Sequence, residues 1–227
     1  EAAPADGNLW NSLHASHGQA ARPGSLLVPE APQVSLGTPG VAFSYQSRIG
    51  TTREPYPSST SYLNGPAGVF VDGDDYLYVM ENEGSRMIRY GGTPNPLVIG
   101  HSGMWWSEQD YLAWPEDVVA DSTGDIWMVD QNRVSRYSST GSFEMMFPSD
   151  PDEASQCLDD NDHFCYPTGI AMSGLDRLYV SDSENHRIQV FTISGGSLVY
   201  STTIGTVGTP GTGNNQFDYP GRLAVDG

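Results

Sequence analysis

The chain has 227 residues, with 10 Lys+Arg against 28 Asp+Glu, a net charge of −18 and a pI near 4.3. A field of that sign repels polyanions, which disfavours nucleic-acid binding through phosphates and adhesion to anionic membrane surfaces. Hydrophobic residues make up only 37%, but 5 Trp, 12 Tyr and 7 Phe argue against wholesale disorder, and a chain this long can bury a core. No apolar run approaches the roughly 18 residues of a membrane-spanning helix. The start, Glu1-Ala2-Ala3-Pro4-Ala5, resembles a mature terminus left by signal cleavage. The single cysteine pair, Cys157 and Cys165, lies in a polar segment and predicts a local disulfide in an oxidising compartment. A secreted or cell-surface location is therefore expected.

In chain order, residues 1–40 form an Ala/Pro/Gly-rich arm with one short helix expected around Leu9–His14. Such a segment cannot offset its ordering entropy alone, so it is expected to lie against its own domain or a neighbouring molecule. From residue 41 to 227 the chain repeats. Gly65-Pro66-Ala67-Gly68, Trp114-Pro115-Glu116-Asp117, Tyr166-Pro167-Thr168-Gly169 and Tyr219-Pro220-Gly221-Arg222 each open an apolar strand. Their prolines are separated by 49, 52 and 53 residues. Second strands are expected at Tyr76–Val79, Ile126–Val129 and Leu178–Ser181. Third strands follow at Arg86–Tyr90, Arg133–Tyr137 and Arg187–Phe191, and fourth strands at Leu97–Gly100, Phe143–Phe147 and Leu198–Gly205. These segments are β-branched or aromatic and bounded by Gly, Asn, Asp or Pro. Four strands repeated every 50 residues or so predict an all-β propeller built of four-stranded blades.

Tyr166–Phe191, YPTGIAMSGLDRLYVSDSENHRIQVF, resembles an NHL repeat: Pro-x-Gly-x-Ala, then Tyr-Val-x-Asp, then Asn-x-Arg-Ile-x-x-Phe. The Gly-rich stretch Gly205–Gly227 is similar to the connection between successive NHL repeats. The resemblance implies three complete NHL-type blades, the start of a fourth at Tyr219, and an N-terminal closing strand. That last strand is read at Val41–Gly50, which is similar to Leu198–Gly205. Six blades would need roughly 140 more residues, so an incomplete ring is expected, finished by more chain, a second copy or a partner. Asp117 stands where the pattern has Gly, and a positive φ there would strain it.

Repetition separates structural from functional residues. Glu81 with Arg86, Asp130 with Arg133, and Asp182 with Arg187 recur once per blade and are expected to brace the turn or link blades. The connections do not repeat, and long loops on one face of a rigid scaffold are where binding resides. Trp105, Trp106, Tyr111 and Trp114 crowd one connection, either as a local mini-core or as an aromatic platform for a protein, peptide or glycan. The acidic connection Pro148–Phe164 contains Asp159, Asn161 and Asp162, a secondary candidate for Ca²⁺ that lacks the EF-hand glycine and terminal Glu. No other cofactor is expected. The histidines form no metal-protease or haem pattern, and no nucleophile elbow or phosphate loop is present.

The function expected is a non-enzymatic extracellular module for protein–protein interaction, plausible as a subunit of a surface or filamentous assembly, with contacts through residues 1–40 and the long loops. A glycan or peptide receptor using the aromatic connection is the alternative. A metal-dependent propeller lyase or lactonase, which the NHL resemblance also allows, is the third.

Overall fold

The computed structural model describes residues 60–91, 96–101, 111–174 and 176–226. The arm 1–40 with its expected helix, the closing strand read at Val41–Gly50, and Trp105 and Trp106 lie outside them. The described strands form three four-stranded antiparallel meanders, each in plain sequence order. The first contains β1 (Pro66–Val71), β2 (Leu77–Glu81), β3 (Arg86–Tyr90) and β4 (Leu97–Gly100). The second contains β5 (Pro115–Ala120), β6 (Ile126–Asp130), β7 (Arg133–Tyr137) and β8 (Phe143–Phe147). The third contains β9 (Pro167–Ser173), β10 (Arg177–Asp182), β11 (Arg187–Ser194) and β12 (Ser197–Gly205). The opening strands β1, β5 and β9 lie side by side. The sheets therefore radiate from a common inner edge, as blades of a β-propeller.

Residues paired across antiparallel strands share a face, so register sorts each blade into two layers. In the first blade Phe70 pairs with Tyr78, Met80 with Met87, and Met87 with Ile99. This layer meets Val118, Ile126, Met128 and Tyr137 of the second blade in one buried cluster. The second blade's other layer, Val119, Trp127, Val129 and Val134, meets Ile170, Leu178, Val180 and Phe191 of the third in another. Strand β6 stands between both clusters, and all five of its residues are buried. Hence Ile126-Trp127-Met128-Val129 reads as an unbroken apolar run, where a strand with one wet face would alternate.

The second strands run past their expected ends to Glu81, Asp130 and Asp182. Each acid pairs in the ladder with the arginine that opens the next strand: Glu81 with Arg86, Asp130 with Arg133, Asp182 with Arg187. Tyr219–Asp226, expected to open a fourth blade as a strand, has no strand conformation. A strand is held by its ladder, and among the described residues nothing pairs with this one. It still lies against the third blade, where the hydroxyls of Thr168 and Ser183 donate to the Pro220 carbonyl at 3.2 and 2.6 Å.

The strain expected at Asp117 is also corrected, because neither it nor Gly68 nor Gly169 has a positive φ. Glycine serves close approach here: a Cβ on Gly169 would lie 2.5 Å from the Gly221 carbonyl oxygen. The left-handed conformation falls instead on the residue before each leading proline, at Gly65 (61°), Trp114 (48°), Tyr166 (48°) and Tyr219 (48°). For a bulky residue ahead of proline this is disfavoured on two counts. The preceding blade's turn holds two of them in place. The Tyr166 N–H donates to Asn132 Oδ1 at 2.9 Å, and the Tyr219 N–H to His186 Nδ1 at 3.2 Å.

Candidate functional site

The recurring acid and arginine are joined in every described blade. Arg86 Nε donates to Glu81, Arg133 Nη2 lies 3.0 Å from Asp130, and Arg187 Nε lies 2.7 Å from Asp182, all six side chains being almost wholly buried. Each acid also accepts a backbone N–H from the connection entering its own blade: Asn64 at 2.5 Å, Ala113 at 3.0 Å, Cys165 at 2.6 Å. Each arginine donates to a connection carbonyl two residues upstream of that N–H: Tyr62 at 3.0 Å, Tyr111, and His163 at 3.4 Å. Between these two anchors a side chain enters the interior, as with Leu112 and Phe164, both fully buried. The unit is a clamp fastening each connection to the turn between second and third strands. Burial alone would lower the Arg133 pKa, but the Asp130 carboxylate outweighs it and holds it above its ordinary value.

The clamps set connections and second-to-third-strand turns on one face. The opposite face has its own recurring device. Asp72 Oδ1 accepts the N–H groups of Asp74 and Tyr76, both at 3.0 Å, while Oδ2 accepts the Tyr78 hydroxyl at 2.9 Å. Burial, with that hydrogen bond, pushes the Tyr78 hydroxyl up to about 12. Asp121 repeats the arrangement with Thr123, Asp125 and the Trp127 indole N–H. In the third blade Ser173 takes the aspartate's place.

On the connection face, Cys157 and Cys165 form a disulfide with Cα atoms 4.3 Å apart. The connection Pro148–Phe164 that holds Cys157 is pinned further. Asn132 donates to the Ser155 carbonyl at 3.2 Å, Asn185 to that of Leu158 at 2.7 Å, and Arg187 to that of Asp160. Asp150, Asp152, Glu153, Asp159, Asp160 and Asp162 are all exposed on it. Of the calcium candidates, Asp162 gives its N–H to Asp160 Oδ1 at 2.9 Å, and that same oxygen meets His163 Nδ1 at 2.7 Å. Among the described residues no three His, Cys, Asp or Glu side chains converge as metal ligands would. In the aromatic connection the Tyr111 ring lies 4.8 Å from that of His101, and its carbonyl belongs to the second clamp. Trp114 stands at the repeated left-handed position before Pro115.

At the inner edge of the connection face the structure joins two residues that sequence reasoning left apart. Arg222 Nη1 lies 2.6 Å from Asp117 Oδ1, whose other oxygen accepts the Ile170 N–H at 3.2 Å. Neighbouring Glu116 accepts the Asn82 amide at 2.5 Å. Burial raises the pKa of both Glu116 and Asp117, with Arg222 opposing it. The signal was present in the repeat: one column reads Gly68, Asp117, Gly169, Arg222, with opposite charges at the two departures from glycine.

Residues 164–191 match the family described as NHL repeat. The match covers β9, β10 and most of β11 of the third blade. The match runs from the buried Phe164 through the Asp182–Arg187 clamp to Phe191, so the NHL pattern in this chain is largely the pattern of one clamp and its packing. No curated protein matches the chain. Among solved structures, a protein of unknown function from Bacteroides thetaiotaomicron is 20% identical with a TM-score of 0.53, over 70% of this chain and 42% of its own. A streptogramin B lyase is 17% identical with a TM-score of 0.48, over 76% of this chain and 48% of its own. A gluconolactonase from Xanthomonas campestris is 20% identical with a TM-score of 0.46, over 70% and 52%. This chain thus spans about half the length of the structures it matches. The similarity to the Bacteroides thetaiotaomicron protein shows the fold alone. No helix among the described residues is long and apolar enough to cross a membrane, a statement that does not bear on β-barrels.

Proposed function

We propose that this protein is a non-enzymatic extracellular propeller module that binds a protein partner through the connections on one face. One observation carries the reading. The charged residues that recur in the sequence, one acid and one arginine per blade, are buried and committed to fastening connections. What differs between blades is the connections themselves, and clamps that fasten the downstream end of each variable loop suit recognition. The acidic connection Pro148–Phe164, which contains one half of the disulfide, is the best described of these, tethered at several points and with acids and His163 as its only ionisable side chains. A disulfide of this kind is compatible with a location outside the cell. The arm 1–40 would serve self-association in a larger assembly, and no cofactor is required.

The test has two arms. Incubation with gluconolactone and with a streptogramin B, each with and without Mg²⁺ or Ca²⁺, is expected to give no turnover above buffer. Turnover abolished by chelator would overturn the non-enzymatic reading. Cross-linking of the native particle followed by mass spectrometry is expected to join the connections 148–164 and 206–218 to another polypeptide. Cross-links confined to the Asp72 and Asp121 turns would place recognition on the other face and sink the binding reading.

A further inference from the structure

The two halves of the disulfide differ in access. Cys165 is 2% exposed, whereas Gln156, Cys157 and Leu158 are all exposed, so an external reagent meets the Cys157 sulfur first. Both cysteines are also held by bonds that do not pass through sulfur. The Cys165 N–H donates to Asp182 Oδ1 at 2.6 Å, and its carbonyl accepts the Glu184 N–H at 3.2 Å. Cys157 lies between two anchors. Upstream, Ala154 is buried and the Ser155 carbonyl accepts from Asn132 at 3.2 Å. Downstream, the Leu158 carbonyl accepts from Asn185 at 2.7 Å. The residues between the cysteines are fastened as well, the Asp160 carbonyl by Arg187 and that of His163 by Gln189 at 2.6 Å. A cross-link across only eight positions adds little chain restriction to these anchors. With the disulfide open, the connection keeps its course and the two sulfurs stay neighbours.

We propose that Cys157 is a thiol-exchange site selective for positively charged small thiols, opening from and reclosing on Cys165 without release of the connection. The selectivity comes from the approach. Asp152, Glu153, Asp159, Asp160 and Asp162, all exposed, flank Cys157 in the chain. The two basic side chains that touch this segment each face a carboxylate, Arg187 buried against Asp182 and His163 Nδ1 at 2.7 Å from Asp160. An anionic thiol is repelled from such a surface and an ammonium-bearing one attracted. The incoming thiolate attacks Cys157 Sγ, the bond to Cys165 breaks, and its electron pair leaves on Cys165 Sγ as a thiolate. The product is a mixed disulfide on the exposed side and one thiolate on the buried side, with no net oxidation. In the reverse step Cys165 attacks Cys157 Sγ and expels the small thiol. Because the anchors keep the sulfurs adjacent, reclosing is intramolecular and fast. The site does not rest on the partner-binding reading.

Incubation of the full chain with cysteamine or with 2-mercaptoethanesulfonate, matched in thiolate concentration, tests this. Samples are acid-quenched, alkylated and mapped by mass spectrometry. At low ionic strength cysteamine is expected to open the disulfide roughly tenfold faster, and in about 0.5 M salt only about twofold faster. Asp159→Asn combined with Asp162→Asn is expected to cut that preference roughly by half. The trapped cysteamine adduct should lie on Cys157, with Cys165 alkylated. Cys165→Ser, unable to reclose, should keep an adduct formed from cystamine that the parent sheds. Hydrogen exchange across 154–165 should stay within about threefold of the closed form once the disulfide is reduced. Equal rates for the two thiols at low salt overturn the site, as does an adduct on Cys165. Opening that occurs only in urea overturns it too, and so does exchange at unfolded-chain rates across the connection after reduction.

Discussion

The layer that the first two blades turn toward their successors differs from the corresponding layer of the third. In the first, Tyr78, Met80, Met87, Leu97 and Ile99 pack with Arg89, whose Nη1 donates to the Ser139 carbonyl of the second blade at 2.9 Å. In the second, Trp127, Val129, Val134, Met145 and Phe147 pack with Arg136, which donates to the Gly196 carbonyl of the third at 3.2 Å. Register places Tyr179, Ser181, Ile188, Val190, Thr202 and Ile204 in the third blade's layer. A Met or Val has become Ser181, the arginine has become Val190, and a Leu or Met has become Thr202. Residues 206–226 meet the third blade through donation from Thr168 and Ser183 to the Pro220 carbonyl, from the Tyr219 N–H to His186, and through the Tyr219 and His186 rings. The clamp inside each blade is constant, whereas the layer facing the next blade is rewritten in the third.

That contrast predicts equal costs for the clamp and unequal ones for the seam. The largest effect should come from Arg187→Ala, which leaves Asp182 buried without its cation. Removing one partner of such a pair costs about 3–5 kcal/mol, and Arg86→Ala and Arg133→Ala should fall in the same range. Urea unfolding of the three variants measures it. A third-blade value far below the other two would mean the clamp is not the shared element.

The clamp was legible in sequence because one acid and one arginine recur at fixed places, and the blades because short apolar strands alternate with Gly and Asp turns. The disulfide was legible for a simpler reason, since only two cysteines exist and they lie eight residues apart. Other features were hidden. That the acid also takes the N–H of Asn64, Ala113 or Cys165 depends on where a connection returns in space, which no local pattern encodes. The left-handed conformation of Trp114, Tyr166 and Tyr219 before proline contradicts local preference, and at Tyr166 and Tyr219 a bond to the neighbouring blade's turn holds it. Tyr219–Asp226 reads as a strand from its residues, yet a strand is a property of pairs, and its partner is not among the described residues. Asp117 and Arg222 lie more than a hundred residues apart, and only comparing their column in the repeat would have linked them.

A medium effect should follow from giving the second blade the third blade's residue. Arg136→Val removes the bond to Gly196, the ion pairs to Asp125 and Glu144, and the cation 5.3 Å above the Trp127 ring. With the side chain partly screened by solvent, about 2 kcal/mol is expected, read as a lower urea midpoint at unchanged m. If the variant unfolds at the parent's midpoint, the arginine is no part of what distinguishes the two seams.

The smallest effect concerns the turn on the opposite face, where Ser173 replaces the aspartate of the other blades. Burial works against the charged form of Asp121, but donors from Thr123, Trp127 and Asp125 outweigh it and hold its pKa below the ordinary 3.8. A carboxylate depressed in the folded state contributes stability above its unfolded pKa and loses it as pH falls through the folded one. Asp121→Ser should therefore cost about 1 kcal/mol at pH 7, a few degrees in Tm. Between pH 4 and pH 2 the parent should descend to meet the variant, since the protonated acid no longer rewards its donors. A gap that persists undiminished at pH 2 would assign the cost to packing around Trp127, and the difference between aspartate and serine turns would then be one of shape rather than charge.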